Sequence, residues 1–267
     1  MASDKATQLP FSAHSLFNSK TDERITRLSK VLSTSSGVDA TLTLAGYGLY
    51  FVSSQISKLE RLELKALIHP GISKHGAASI VKLAELEATT KTLASMCSDF
   101  RTFTRLWGLL GVYAMAKKNY VDPPKDLVLR AVSYGQTLSL GAYYVYENGY
   151  YLAGKGVLKG WTPEDIKKCA RTSLRMFLVY VVFEFVRLYR ARQLREVRKA
   201  KAVDEKERGD IAKEEEVWWR GGLVNAAYTP LAFHWSSENG LLSDGLVGAL
   251  MSLVGLIKFR AAWAQAA

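Results

Sequence analysis

Apolar residues return every three to four positions along almost the whole chain, and nowhere do they alternate residue by residue between hairpin turns. That spacing commits the backbone to helices, and the fold class it predicts is all-α. Prolines stand at the expected breaks: Pro70-Gly71, Pro123-Pro124, Pro163 and Pro230. A helix satisfies its own backbone hydrogen bonds, so such a chain can pack into a soluble bundle or sit in lipid. Composition leaves that choice open. Hydrophobic residues make up 48% of 267, and the mean hydropathy of −0.01 lies between the two classes. The net charge of +11 suits an anionic partner, nucleic acid or an anionic leaflet. No basic patch is interleaved with aromatic residues, so nucleic acid is not expected.

The first helix is expected from Thr21-Asp22, which can cap it, to about Thr34. Ile25, Leu28 and Leu32 share one face, and Arg24, Arg27 and Lys30 another. Such a helix can lie in a headgroup layer, apolar stripe down and cations on phosphates, or cover a soluble core. The second helix, about Val38 to Leu62, has no charge from Ala40 to Ser57. Val38, Leu42, Ala45, Leu49, Val52 and Ile56 form a stripe that Tyr47, Tyr50 and Phe51 widen, opposite Thr41, Thr43, Gly46, Gly48, Ser53 and Ser54. A wide apolar face opposite small hydroxyl residues resembles a lipid-packing sensor; a buried core helix has the same pattern.

A third helical stretch is expected from Lys74 to Lys118, and its part from Leu106 to Ala116 is apolar on all sides. Eleven residues are too few to span roughly 30 Å of hydrocarbon, so that part reads as core, re-entrant or interfacial. Ala131 to Tyr146 is uncharged and ends among Tyr143, Tyr144, Tyr146, Tyr150 and Tyr151, rings that suit a membrane boundary or a bundle core. Thr162-Pro163-Glu164-Asp165 is a helix start. That helix carries Met176 to Phe183, then Glu184, then a basic block from Arg187 to Lys201, read as juxtamembrane or as a solvated charged face. Leu241 to Ile257 is the best transmembrane candidate, with Asp244 its one charge. Gly245 with Ala249, and Gly248 with Ser252, are small pairs four apart that let helices approach closely in lipid and self-associate. The expected division is 1–62 for the amphipathic helices, 63–220 for a helical core and 221–267 for a C-terminal anchor.

Catalytic chemistry is not legible. His14, His69, His75 and His234 form no paired ligand spacing, and no phosphate loop, dinucleotide fingerprint or nucleophile elbow occurs. No metal, cofactor or enzymatic activity is expected. His234 beside Trp235 reads as a packing residue, and Gly154-Lys155-Gly156 as a turn. Cys97 and Cys169 read as small buried hydrophobes in a reducing compartment. The first residues, MASDKATQLPF, lack the apolar core of a secretory signal, and the last, WAQAA, are neither a matrix address nor a prenylation box.

Four stretches, in order, carry a resemblance. They are Ser98-Asp-Phe-Arg-Thr-Phe-Thr-Arg-Leu-Trp, Tyr143-Tyr-Val-Tyr-Glu-Asn-Gly-Tyr-Tyr-Leu-Ala-Gly-Lys-Gly-Val, Trp161 with the helix after it, and Asn225-Ala-Ala-Tyr-Thr-Pro-Leu-Ala-Phe-His-Trp-Ser followed by Gly240-Leu241. Over roughly residues 20 to 265 the chain resembles the peroxisome-proliferation peroxins, the family of peroxisomal biogenesis factor eleven. It departs from the pattern in carrying no cation between Ala40 and Ser57, and in having Tyr228-Thr229 where an acid commonly precedes the proline, as a divergent paralogue would. The resemblance implies a non-enzymatic protein of the peroxisomal membrane. It implies membrane remodelling and elongation by amphipathic-helix insertion, self-association, and recruitment of dynamin-type fission machinery and its membrane adaptor. The expected lipid-binding residues are Leu42, Leu49, Phe51 and Val52 as the wedge, with Arg24, Arg27 and Lys30 as the clamp on an anionic phospholipid membrane. Two other readings stay open. One is a pore for metabolites, lined through Glu184 and Arg187; the other is a soluble helical interaction protein.

Overall fold

The computed structural model describes residues 20–67, 75–202 and 204–266, and among these there is no strand. The helices are α1 (Lys20–Leu32), α2 (Ser35–Leu67), α3 (His75–Thr104), α4 (Gly108–Val121), α5 (Leu127–Gly154), α6 (Pro163–Lys201), α7 (Glu205–Ser236) and α8 (Asp244–Gln265). A 3₁₀ turn, Arg105–Trp107, joins α3 to α4. The expected stretch from Lys74 to Lys118 is therefore one path through a 3₁₀ turn, and its first residue lies outside the described ones, as do Pro70-Gly71 and the N-terminal stretch MASDKATQLPF.

Local chemistry sets the helix ends. Thr162 and Asp165 form a reciprocal capping box at α6, the Asp165 N–H donating to Thr162 Oγ1 and the Thr162 N–H to Asp165 Oδ2, with Pro163 at the first position. Asp126, Asp204 and Ser243 accept first-turn N–H groups at α5, α7 and α8. Two boundaries differ from expectation. Thr21-Asp22 does not cap α1, which is already helical at Lys20, so Asp22 sits in its first turn. Pro230 does not break a helix; α7 runs through it to Ser236. Thr229 donates its hydroxyl to the Asn225 carbonyl, and packing against α8 holds the segment helical around the missing donor.

Successive neighbours in space are antiparallel. Gly46 faces Cys97, which sets α2 against α3, while Gly248 faces Phe51 and Gly255 faces Leu44, which sets α2 against α8. Leu231, Val247 and Met251 join α7 to α8. The Trp218 indole donates to the Leu188 carbonyl between α7 and α6. Gly135 meets the Phe183 ring between α5 and α6, and Gly108 meets Tyr144 between α4 and α5. Because α4 continues α3, this order of neighbours returns on itself around a common cavity. The first and last expected segments meet directly, since α8 lies along α2.

Candidate functional site

Polar side chains share the interior with apolar ones, and many large apolar side chains face outward. Thr43, Ser53, Gln136, Ser139, Glu147, Ser173 and Glu184 are buried, while Leu110, Tyr113, Leu138, Val145, Val182 and Tyr189 are exposed. Helices that bury polar side chains and present aliphatic ones outward suit an apolar solvent. In α2 the hydroxyl face is the inner one. Thr43, Gly46, Ser53 and Ser54 are buried between α3 and α8, and the Thr43 and Ser54 hydroxyls donate to carbonyls of their own helix. Of the two readings left open for α2, this face fits a packed helix. Small side chains that satisfy themselves let backbones approach closely, and lipid gives aliphatic ones no incentive to hide.

The proposed wedge and clamp divide. Phe51 and Val52 are exposed, whereas Leu42 and Leu49 are half-buried. On α1, Ile25, Leu28 and Leu32 are exposed along one face, as are Arg24 and Lys30. Arg27 is turned inward, donating to the Trp263 carbonyl at 2.8 Å with its guanidinium 4.9 Å from the Trp263 ring centroid. A cation on the last carbonyls of α8 is favourable there. With Val31 buried beside it, Arg27 pins α1 to the body and leaves the apolar stripe outward.

Among the described residues α8 alone is long and apolar enough to cross a bilayer. Its 22 residues reach past the expected 17, about 33 Å at 1.5 Å per residue, and Asp244 lies in its first turn rather than within the apolar run. Gly245 and Gly248 face α2 of the same chain, Ala249 is exposed and Ser252 is half-buried. The segment from Leu106 to Ala116 is not core, because Leu109, Leu110 and Tyr113 are exposed.

The cavity at the centre holds about 1130 Å³ and is lined by charges and aromatic rings. Both Arg105 Nε and Nη2 donate to Glu147 at 2.8 Å, and Tyr143 Oη donates to the same carboxylate at 2.7 Å. Arg101 Nε donates to Asp39 at 2.8 Å, with its guanidinium over Tyr47. Lys258 Nζ lies 3.9 Å from Asp39 and donates to Tyr228 Oη at 3.1 Å. Three cations thus face two carboxylates. Periodicity did not reveal this cluster. Its signal was the isolation of the charges: Asp39 and Glu147 each border a long uncharged run. Glu184 and Arg187, expected along a polar path, instead close on each other at 2.7 Å, with Gln136 Nε2 donating to the same carboxylate. At the far end Arg190, with help from the Leu129 N–H, holds the Asp126 carboxyl below its ordinary 3.8. His234 is a packing residue: its Nδ1 accepts from the Leu241 and Leu242 N–H groups, and Gly240, at φ +64°, leaves no room for a Cβ beside the ring.

Three of the stretches that carry the resemblance converge on this cavity, through Arg101 and Arg105, through Tyr143 and Glu147, and through Tyr228 and Trp235. The family model for peroxisomal biogenesis factor 11 (PEX11) matches residues 78–263. The chain belongs to this family. An uncharacterised protein of Schizosaccharomyces pombe is 30% identical to it over 211 residues, 77% of this chain and 94% of that one. No solved structure matches it. Family membership makes it a non-enzymatic protein of the peroxisomal membrane with a role in peroxisome proliferation. The third reading, a soluble interaction protein, is thereby set aside. The match begins within α3, so α1 and α2 precede it.

Proposed function

We propose that this chain remodels and elongates the peroxisomal membrane by laying α1 in the headgroup layer, and that it promotes division by self-association and by recruiting dynamin-type fission machinery through a membrane adaptor. The observation that carries the reading is the outward stripe of Ile25, Leu28 and Leu32 on a helix held from behind by Arg27 and Val31. Inserted at headgroup depth, such a stripe expands one leaflet and favours curvature. Arg24 and Lys30 hold it to anionic lipid at about 1 kcal/mol each. Phe51 and Val52 extend the apolar contact.

Co-sedimentation with anionic liposomes, with imaging of their shape, tests this. Ile25→Glu with Leu28→Glu removes two exposed apolar side chains, worth about 1.5 kcal/mol each on insertion, so binding should weaken roughly a hundredfold and tubules should vanish. Undiminished binding and tubulation by that variant would remove α1 from the mechanism.

The central cavity favours a second reading, a polar path for metabolites. Its uneven charge predicts an anion preference in planar-bilayer conductance that drops in Lys258→Gln, whereas Glu184→Ala should leave it in place. A conductance indifferent to Lys258 would rule the cavity out as the path.

A further inference from the structure

Arg195 on α6 is only 3% exposed, and its Nε is buried with no hydrogen-bond partner. The Trp218 ring of α7 lies beside it, 5.2 Å from the guanidinium to the ring centroid. That ring is fixed, because its indole N–H donates to the Leu188 carbonyl at 2.8 Å. Of the other cations around this point, Arg187 pairs with Glu184, Arg198 with Glu214 and Lys213 with Asp210. Arg192 reaches the same ring from the exposed side. A buried guanidinium is costly unless an anion answers it, and among the described residues no carboxylate pairs with Arg195.

Arg195 opens onto a cavity of about 720 Å³ between α6 and α7, where aliphatic walls such as Leu129, Leu188 and Val217 meet the cations of Arg187, Arg198 and Lys213 and one carboxylate, Glu214. Val197 and Val217 are more than half exposed, so the cavity opens at that edge, near the exposed Trp219. We propose that this cavity binds the phosphate of an anionic phospholipid, with Arg195 as the primary contact and the aliphatic walls against the glycerol and first methylenes. A planar guanidinium suits phosphate oxygens, and Trp218 holds it in place. A free phosphate would satisfy Arg195 but leave most of the volume and its apolar walls unfilled. The site is separate from α1 and does not depend on how that helix meets the membrane.

The full chain in neutral detergent tests the assignment through thermal unfolding and native mass spectrometry, with phosphatidylglycerol, phosphatidylcholine or inorganic phosphate added. Phosphatidylglycerol should raise the melting temperature and remain bound, and the other two should do so at least tenfold less effectively. Arg195→Gln should lose at least tenfold in affinity, while its lipid-free melting temperature stays level or rises because an unanswered buried charge has gone. Arg192→Gln should bind nearly as the parent does. Should Arg195→Gln fail to fold, Val217→Trp, which blocks the cavity mouth without touching the charge, carries the same expected loss. The proposal is overturned if Arg195→Gln melts lower and keeps the lipid-induced shift, if Val217→Trp binds undiminished, or if inorganic phosphate alone matches the phospholipid.

Discussion

Gly255→Leu is expected to destabilise the detergent-solubilised protein by about 3 kcal/mol, a fall of roughly 10 °C in melting temperature for a chain of this size. A Cβ on Gly255 would lie 2.6 Å from the Leu44 nitrogen and 2.7 Å from its Cα. These are backbone atoms of α2, so no rotamer change relieves the overlap and the two helices must separate. Gly248 faces α2 in the same way, 2.8 Å from the Phe51 Cα. The whole α2–α8 seam therefore depends on having no side chain at these points. Ala249→Leu on the exposed side of α8 is the control and should change little. Thermal unfolding of both variants gives the answer, and a Gly255→Leu protein that melts with the parent would mean that α8 does not lie against α2.

Glu147→Ala should cost about as much for a different reason. Glu147 is 3% exposed and takes both Arg105 hydrogen bonds and that of Tyr143. Removing it strands a guanidinium and a phenol at the centre, and a buried pair that loses one partner typically costs about 3 kcal/mol or more. The double change Arg105→Met with Glu147→Leu removes both charges and should recover much of that loss. Denaturant unfolding of the single and double variants separates the cases. A double variant no more stable than Glu147→Ala would show that the centre needs charge rather than packing.

These two sites differ in how far they could be read in advance. The small residues of α8 were legible as a close-approach motif, but their partner was not. Gly245 and Gly248, read as a pair that lets helices approach closely, face α2 of the same chain. Arg105 and Glu147 both lay in stretches that carried the family likeness, yet nothing in their spacing joined them. They stand 42 residues apart and meet only because α5 turns back along the α3–α4 path.

Residues alone decided what is local. Hydrogen bonding within a few positions caps a helix wherever the chain goes afterwards, so Thr162 with Asp165 starts α6 as read, and the turn at Gly154-Lys155-Gly156 ends α5. Periodicity likewise established which side chains share a face, including Ile25, Leu28 and Leu32 on α1. It could not establish which face is covered. In α2 the hydroxyl and glycine face turns inward together with Tyr47 and Ile56, while Ala45, Phe51 and Val52 stay exposed, because close backbone approach stabilises helices where aliphatic groups gain little by hiding. That placement, and the cluster of charges gathered from α2, α3, α5 and α8 with the turn after α3, came only with the tertiary structure, since each depends on contacts between segments far apart along the chain.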